Sequence, residues 1–536
     1  MNLKRYISAK TISRIVLFTG MLLMVSCDSG FEEMNRDPNA YTEPDIGSLF
    51  TTSLIRTVGT GTEDRNRTNI KYLSGAMQYH ATLQTFWYGE KGIVNQQTGN
   101  FFETAYTSHM RELSVILEAT EDNPELVNQN AIAKIWKVYV LHRVTDAYGD
   151  VPYTEAVKGS SELMFKPVYD RQSEIYPMML AELEEAIGQF DASRASFGGG
   201  DVVYGGRTDR WKTFAYSLML RLGMRLTKVD AAMAREWVVK AYNGGVMQSN
   251  DDIAVLEHAP TSGNTWNWDA RELKRESLPE SNQGLGLVKM GKTFVDLLQE
   301  HDDPRIPFYM TLWEGNINAR QSQVLSETTE PSLQKGLPNG YDPGTISEII
   351  PGWNNGMLAE FSEPNTATIA NFSTPSIILS YSECEFLLAE AALRGWISDT
   401  PQDHYHNAIR GNMESAIRYP NSSVDGVSIT SDEIDDYIAN HPLTGSNEEQ
   451  MRQIHTQFYL AHYMYLDFFE AWSNWKRTGF PEMAPITYPL NTTGGRPIRR
   501  LMYSYEERAL NTMNVEAAIS AQGPDNYLTR VWWDAE

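Results

Sequence analysis

The chain contains 536 residues, 69 of them acidic and 45 basic, and its formal net charge at pH 7 is −24. A chain this acidic is repelled by nucleic acid and by anionic lipid, which excludes roles that depend on those surfaces. Aromatic residues make up 11% of the chain and include 13 tryptophans, enough to supply both a large core and a binding surface.

The first residues predict an exported protein with a lipid anchor. Residues 1–26 carry four basic residues and no acidic one, and they include an apolar run from Ile15 to Val25. This pattern is typical of a secretory signal, and the run is shorter than the ~20 apolar residues that span a bilayer. The stretch Met24-Val-Ser-Cys27 resembles a lipobox, which predicts acylation of Cys27 and anchoring by several acyl chains. The alternative is an ordinary signal peptide whose cleavage site includes a cysteine.

The first half of the mature chain is predicted to be helical. Apolar residues recur at helical spacing over Asp45–Thr60, Asn69–Thr85, Phe102–Thr120, Ala131–Ala147, Arg171–Phe190, Arg210–Val229 and Ala231–Tyr242. The fourth of these helices should end at Gly149, in the stretch "YGDVPY". Helix pairs joined by short turns indicate stacked hairpins of the tetratricopeptide (TPR) kind, although no clean repeat of about 34 residues is present.

Residues 251–375 have a different composition, rich in Gly, Pro and Asn, with little helical periodicity. Long irregular segments in compact proteins are usually functional or disordered, and the tryptophan content argues against disorder. We therefore predict one mature domain, 27–536, with a helical scaffold over 27–250, a loop-rich binding region over 251–375 and a C-terminal helical part over 376–536.

Helical spacing returns in the last part of the chain. A helix over Ser376–Arg394 would place Cys384 on an apolar face, so we expect a buried thiol and not a nucleophile. A later helix carries apolar residues at 4-3-4-3 spacing from Ile454 to Phe468. Its histidines, His455 and His462, are seven residues apart and are expected to pack or face solvent rather than bind zinc.

The motifs for catalysis are weak. "GLVKMGKT", residues 286–293, matches the P-loop pattern, but the polar stretch before it does not predict the strand that a phosphate-binding loop needs. We expect Lys292 instead to lie in the first turn of a helix. Carboxylates are abundant, so a pair suited to glycoside hydrolysis stays open, but no local spacing identifies one.

Aromatic residues in predicted loops are the remaining signal for a site. Flat apolar rings beside amides and carboxylates suit sugar rings, which stack on aromatic faces and need partners for their hydroxyls. The alternative is that these rings cover the core beneath a long loop. The predicted ligand-binding residues are Trp87, Tyr88, Trp266, Trp268, Trp313 and Trp353.

Several stretches in order along the chain resemble one known family. They are "CDSGFEEMNRDPNAYTEP", "LHRVTDAYGDVPYTEA", "DDPRIPFYM", "SECEFLLAEAALRGW", "EAWSNWKRTGFP" and the closing "RVWWD". Together they resemble the SusD/RagB-like outer-membrane lipoproteins of Bacteroidetes-type bacteria, in the branch often called SusD-like 2. In that family, acidic residues after the lipidated cysteine accompany export to the cell surface.

The resemblance implies a mainly α fold of TPR-like hairpins with an irregular ligand-binding region, and binding without catalysis. It implies a lipid-anchored protein on the outer membrane that delivers its ligand to a SusC-like TonB-dependent transporter. The expected ligand is an oligosaccharide; a surface glycoside hydrolase and a peptide-binding member of the same fold are the alternatives. No cofactor is expected, although a structural cation such as calcium is compatible with the fold. Ligand residues follow no shared motif in this family, so the resemblance assigns none.

Overall fold

Helices dominate the computed structural model, which describes residues 45–58, 67–85, 87–156, 158, 164–261, 265–277, 287–313 and 327–536. The α-helices, numbered in chain order, are α1 Ile46–Val58, α2 Tyr88–Lys91, α3 Asn100–Thr104, α4 Met110–Thr120, α5 Val127–Tyr148, α6 Gln172–Gln189, α7 Thr208–Arg225, α8 Ala231–Gly244, α9 Trp268–Ser277, α10 Lys292–Glu300, α11 Ile306–Tyr309, α12 Tyr381–Leu393, α13 Pro401–Glu414, α14 Ser431–Asn440, α15 Asn447–Tyr465, α16 Phe468–Thr478, α17 Tyr505–Leu510 and α18 Thr512–Gln522. The signal peptide and Cys27 lie outside the described residues.

The strands are short and form three small antiparallel sheets. They are β1 His80–Thr82, β2 Ala254–Leu256, β3 Val288–Met290, β4 Met310–Trp313, β5 Glu327–Thr328, β6 Glu363–Pro364 and β7 Ser376–Leu379. Strand β1 pairs with β3, β2 pairs with β7, and β4 lies between β5 and β6. The β1–β3 and β2–β7 pairings join segments that are far apart in the sequence, and each of the three sheets includes a strand from the region between 251 and 375.

The longer predicted helices are present, with ends set by local capping. Helix α5 extends to Tyr148 and ends at Gly149, which has a positive φ of 85°. The predicted helix over Ser376–Arg394 is wrong at its start, because β7 occupies Ser376–Leu379. The Ser380 side chain accepts a hydrogen bond from the backbone N–H of Glu383, so it caps α12 and starts the helix after the strand.

The prediction of a helix over Asn69–Thr85 is also only partly correct. The chain forms a π-helical segment over Arg67–Ser74 and then strand β1. Strand β1 pairs with β3 from His80 opposite Met290 to Thr82 opposite Val288. A partner strand so distant in the sequence overrides the local helical pattern.

Residues 251–375 are less irregular than their composition predicts. Helices α9, α10 and α11 and strands β2 to β6 all lie in this region. It is therefore a mixed region of short helices and short strands joined by loops. From Ile46 to Glu536 the chain forms one compact unit.

The helical scaffold consists of consecutive helices that pack as pairs: α5 with α6, α7 with α8, α12 with α13 and α15 with α16. Charged side chains are buried between these pairs. Arg221 on α7 forms a bidentate ion pair with Glu383 on α12 at 2.6 and 2.7 Å. Arg477 on α16 does the same with Glu390 at 2.8 and 2.6 Å. In each pair the two buried charges neutralise each other only when the helices pack in this arrangement.

Cys384 is a core residue, as predicted, and His455 and His462 are also buried, which is one of the two environments expected for them. Cys384 is 1% exposed, and burial raises the pKa of its thiol to about 12. His455 lies 2.9 Å from Glu390, and His462 lies 3.5 Å from Glu383. No helix within the described ranges is long and apolar enough to cross a membrane.

Candidate functional site

The structure separates the six predicted aromatic residues into different environments. Trp87 is fully buried in the main core, which favours a packing role, and its contact with ligand stays a prediction. A Cβ on Gly75 would lie only 2.4 Å from its ring, which shows how closely Trp87 packs on the backbone. Tyr88 is partly buried at the start of α2, and its ring lies 5.4 Å from that of Tyr72.

Trp353 belongs to a second, smaller core. It is partly buried and packs against a cluster of apolar residues made of Ala81, Leu83, Leu337, Ile346, Leu358 and Phe361. Its ring centroid lies 6.2 Å from that of Phe361. The indole N–H is buried and has no hydrogen-bond partner among the described residues. Trp353 therefore has a structural role, and any ligand contact would use only its exposed edge.

Trp313, at the end of β4, is partly buried and held by a buried ion pair. Its indole N–H donates a hydrogen bond of 2.7 Å to Glu363 Oε2. Glu363 Oε1 accepts from the ammonium of Lys289, and both of these charged side chains are 1% exposed. The ring is therefore fixed by strand β6, which pairs with β4 beside it.

Trp266 stacks on a residue that the sequence analysis did not select. Its ring lies 4.5 Å from that of Phe372, at an interplanar angle of 28°. Asn267 joins the two segments, because its backbone N–H donates to the Phe372 carbonyl at 2.8 Å and its side chain donates to the Thr374 carbonyl at 2.9 Å. Its side-chain oxygen also accepts from the N–H of Ala270 at 3.0 Å and caps α9.

Helix α9 begins with Trp268, and two cations follow at intervals of three residues. The guanidinium of Arg271 lies 4.4 Å from the Trp268 ring centroid. The ammonium of Lys274 lies 5.1 Å from the centroid of Phe372. The spacing i, i+3 makes Arg271 a neighbour of both Trp268 and Lys274 on the surface of the helix.

The elements that carry three of the tryptophans are contiguous. Helix α9 contacts strand β6, which pairs with β4 and holds Trp313 through Glu363. Trp266 immediately precedes α9. We call Trp266, Trp268, Trp313 and Phe372, with Arg271 and Lys274, the aromatic surface. All four rings are partly buried, so each has both a fixed position and an exposed part.

Two cavities lie elsewhere, and neither is lined by any of the six predicted residues. One has a volume of about 810 Å³ and the other about 590 Å³. They share His301, Asn440 and His441, and the rings of the two histidines meet edge to face at 5.4 Å. The aromatic surface is therefore selected for the chemistry of its rings and not for the volume of a cavity.

The residues that the structure describes form no metal centre. Within the described ranges, no group of three or more His, Cys, Asp or Glu side chains is arranged to hold an ion. The structural cation considered from the sequence stays a prediction. Lys292 lies in the first turn of α10, as predicted, and pairs with Asp296 one turn later. Strand β3 occupies part of the P-loop match where that motif requires a loop.

Phe372, Arg271 and Lys274 were missed by the sequence analysis for different reasons. Phe372 is far from Trp266 in the chain and follows no local pattern. Arg271 and Lys274 are visible in "WDARELK" as residues that follow Trp268 at intervals of three. That signal could have been found once a helix starting at Trp268 was assumed.

Comparisons with known proteins agree with this architecture. Residues 38–504 match a family profile described as "Starch-binding associating with outer membrane", the SusD-like 2 profile. A structure titled as a chitin-binding protein is 27% identical, with a TM-score of 0.77, over 92% of this chain and 100% of that one. A Bacteroidetes SusD-like protein is 25% identical, with a TM-score of 0.79 and the same coverage of both chains.

A chitin-binding SusD homologue from Flavobacterium johnsoniae is 24% identical, with a TM-score of 0.71, over 92% of this chain and 99% of that one. At that identity the likeness shows the fold alone. A search of curated proteins found no match. Because the family profile spans most of the sequence, the chain belongs to the SusD-like family, and its mainly helical fold is the fold of that family.

Proposed function

We propose that this protein binds an oligosaccharide at the cell surface, through the aromatic surface, and delivers it to a TonB-dependent transporter of the outer membrane. The observation that carries the proposal is the set of partly exposed rings held by buried contacts: Trp313 by Glu363, and Trp266 by Phe372. Rings whose positions are already fixed lose little conformational entropy when a sugar stacks on them.

The family relation supports the same function. SusD-like proteins are associated with the outer membrane, and two of the structures that resemble this chain carry titles naming chitin binding. Lipid attachment at Cys27 would place the aromatic surface outside the cell. In this proposal the transporter supplies the passage through the membrane.

Glycan binding without turnover is the expected result of a direct test. The mature protein is titrated calorimetrically with a panel of oligosaccharides, and the same mixtures are assayed for new reducing ends. Saturable binding with no new reducing ends supports the proposal. New reducing ends would identify a hydrolase instead. Binding of peptides, with none of any glycan, would identify a peptide-binding member of the fold.

The location of the site is tested with a matched pair of variants. Trp268→Ala should weaken glycan binding roughly tenfold to a hundredfold, which corresponds to ~1–3 kcal/mol. Trp237→Ala is the control, because Trp237 is also partly buried and also has a cation over its ring, Lys240 at 4.0 Å, but lies on scaffold helix α8. If both variants bind equally well, the aromatic surface is not the site.

A further inference from the structure

The two cations of the aromatic surface are unusual for this protein. The chain has 69 acidic residues against 45 basic ones, so carboxylates outnumber the cations that could pair with them. Yet Lys274 has no salt-bridge partner within the described part of the chain, and its ammonium faces the Phe372 ring instead. An ammonium without a carboxylate is not what an acidic surface predicts.

Arg271 has only one long ion-pair contact among the described residues. The closest carboxylate oxygen to it, on Glu272, is 4.0 Å away, and 28% of the Arg271 side chain is exposed. Glu272 already has closer partners, Arg275 at 2.5 Å and Lys71 at 3.0 Å. The Arg271 charge is therefore not neutralised by the charged residue beside it.

The geometry joins these charges to the rings. Arg271 lies over Trp268 at 4.4 Å and Lys274 lies over Phe372 at 5.1 Å, and Phe372 stacks on Trp266. A cation held over an aromatic face keeps its outward N–H groups available to an anion. A guanidinium matches the two oxygens of a carboxylate or sulfate in particular.

We propose that the aromatic surface selects an acidic oligosaccharide, one whose sugars carry carboxylate or sulfate groups. This inference rests on the proposed function and adds the ligand class. The rings of Trp266, Trp268 and Trp313 stack on the sugars. Arg271 and Lys274 bind the anionic substituents.

The alternative is that the two cations have only a structural role, and experiment can distinguish that role from binding of an anion. Lys274 lies in the last turn of α9, where a positive charge is stabilised by the helix dipole. If that is its only role, replacing it changes stability slightly and leaves binding unaffected.

The test uses the mature protein and a panel of uronic-acid and sulfated polysaccharides, each paired with a neutral counterpart. The uronates are carboxyl-reduced and the sulfated chains are desulfated, so that each pair differs mainly in charge. Affinity electrophoresis identifies the best ligand, and calorimetry measures its Kd. Comparison of the uronate pairs with the sulfated pairs shows whether the protein recognises carboxylate or sulfate. A neutral chitooligosaccharide and an acidic peptide complete the panel.

We expect at least tenfold tighter binding of an acidic polysaccharide than of its neutral counterpart. Lys274→Gln and Arg271→Gln should each weaken that binding about fivefold to tenfold, equivalent to ~1–1.4 kcal/mol. The matched control is Lys240→Gln, because Lys240 also lies over a tryptophan but pairs with Glu184 on the scaffold. Its Kd should equal that of the wild type. Thermal midpoints of all three variants establish that they are folded.

Three results would overturn the inference. Equal binding of the charged and neutral counterparts, or of the chitooligosaccharide alone, would do so while leaving the proposed function intact. Unchanged Kd values in both α9 variants would place the charge recognition elsewhere. Binding of the acidic peptide, with none of any glycan, would overturn the inference and the proposed function together.

Discussion

The indole N–H of Trp313 donates a hydrogen bond to Glu363, whose carboxylate also accepts a hydrogen bond from the buried ammonium of Lys289. A partly exposed ring is thus fixed by a fully buried ion pair. Trp313, a candidate ligand contact, is therefore held by a pair that stabilises the protein. Separate mutations of the ring and of the pair can test ligand binding and stability independently.

Glu363→Gln should lower the free energy of unfolding by about 3–5 kcal/mol, because it removes a negative charge that is buried against the ammonium of Lys289. Chemical denaturation of the variant measures this loss. The control is Glu360→Gln, which breaks the exposed pair of Glu360 with Lys335 at 3.3 Å. That change should cost less than ~1 kcal/mol. Equal losses in the two variants would contradict the structural role assigned to Glu363.

Trp87→Ala should cost about 3–5 kcal/mol of unfolding free energy, because it empties a fully buried site. Glycan affinity, measured at a temperature where the variant is folded, should stay at the wild-type value. A variant of unchanged stability and weakened affinity would restore Trp87 to the ligand-binding set.

The protein should lose stability in acid. Burial alone would raise the pKa of Glu383, but Arg221 and the nearby His462, 3.5 Å away, offset it and lower the pKa to about 2, from an ordinary 4.5. Glu390 is likewise buried, and the charges of Arg477 and His455 hold its pKa well below the ordinary value. A carboxylate with a lowered folded pKa contributes stability above its unfolded pKa.

That contribution is lost as the pH falls from about 4.5 toward 2. Unfolding free energies measured by denaturation at pH 7, 5, 4 and 3 should therefore decline through the acid range. Glu390→Gln should be less stable than the wild type at pH 7 and should show a shallower decline. A wild-type stability that stays constant down to pH 3 would contradict the role of these buried pairs.

Cys27→Ala should release the protein from the outer membrane or leave it uncleaved, because acylation requires that thiol. Membrane fractionation of cells that produce the variant measures the effect. A Cys384→Ala variant is the control, since that thiol is buried in the core. Membrane partition equal to that of the wild type would contradict the anchor, provided that cells lacking the transporter give the same result.

The sequence predicts the scaffold better than the site, for physical reasons. A helix such as α5 is recognisable because its apolar spacing and its C-cap at Gly149 are local. The segment after Asn69 was predicted wrongly because its strand depends on β3, which is far away in the chain. Local periodicity contains no information about such a partner.

The same limit applies to the aromatic residues. Trp87 and Trp268 both stand beside turn-forming residues in the sequence, yet one is fully buried and the other partly exposed. Contact with Gly75 buries Trp87, and contact with Phe372 fixes Trp266. Each of these contacts joins separate segments, so the residue type was predictable from the sequence and its environment was not.

The claim that the aromatic surface binds the ligand is tested most directly by measuring glycan affinity and thermal midpoint together for four variants: Trp266→Ala, Trp268→Ala, Trp313→Ala and Trp353→Ala. We expect the first three to weaken binding by roughly tenfold to a hundredfold while the midpoint changes little, because their rings are partly buried and do not pack against either hydrophobic core of the described residues. Trp353→Ala should mainly lower the midpoint, because its ring packs in the second core. If all four variants lower the midpoint sharply and none weakens binding at equal folding, the tryptophans are core residues and the ligand binds elsewhere.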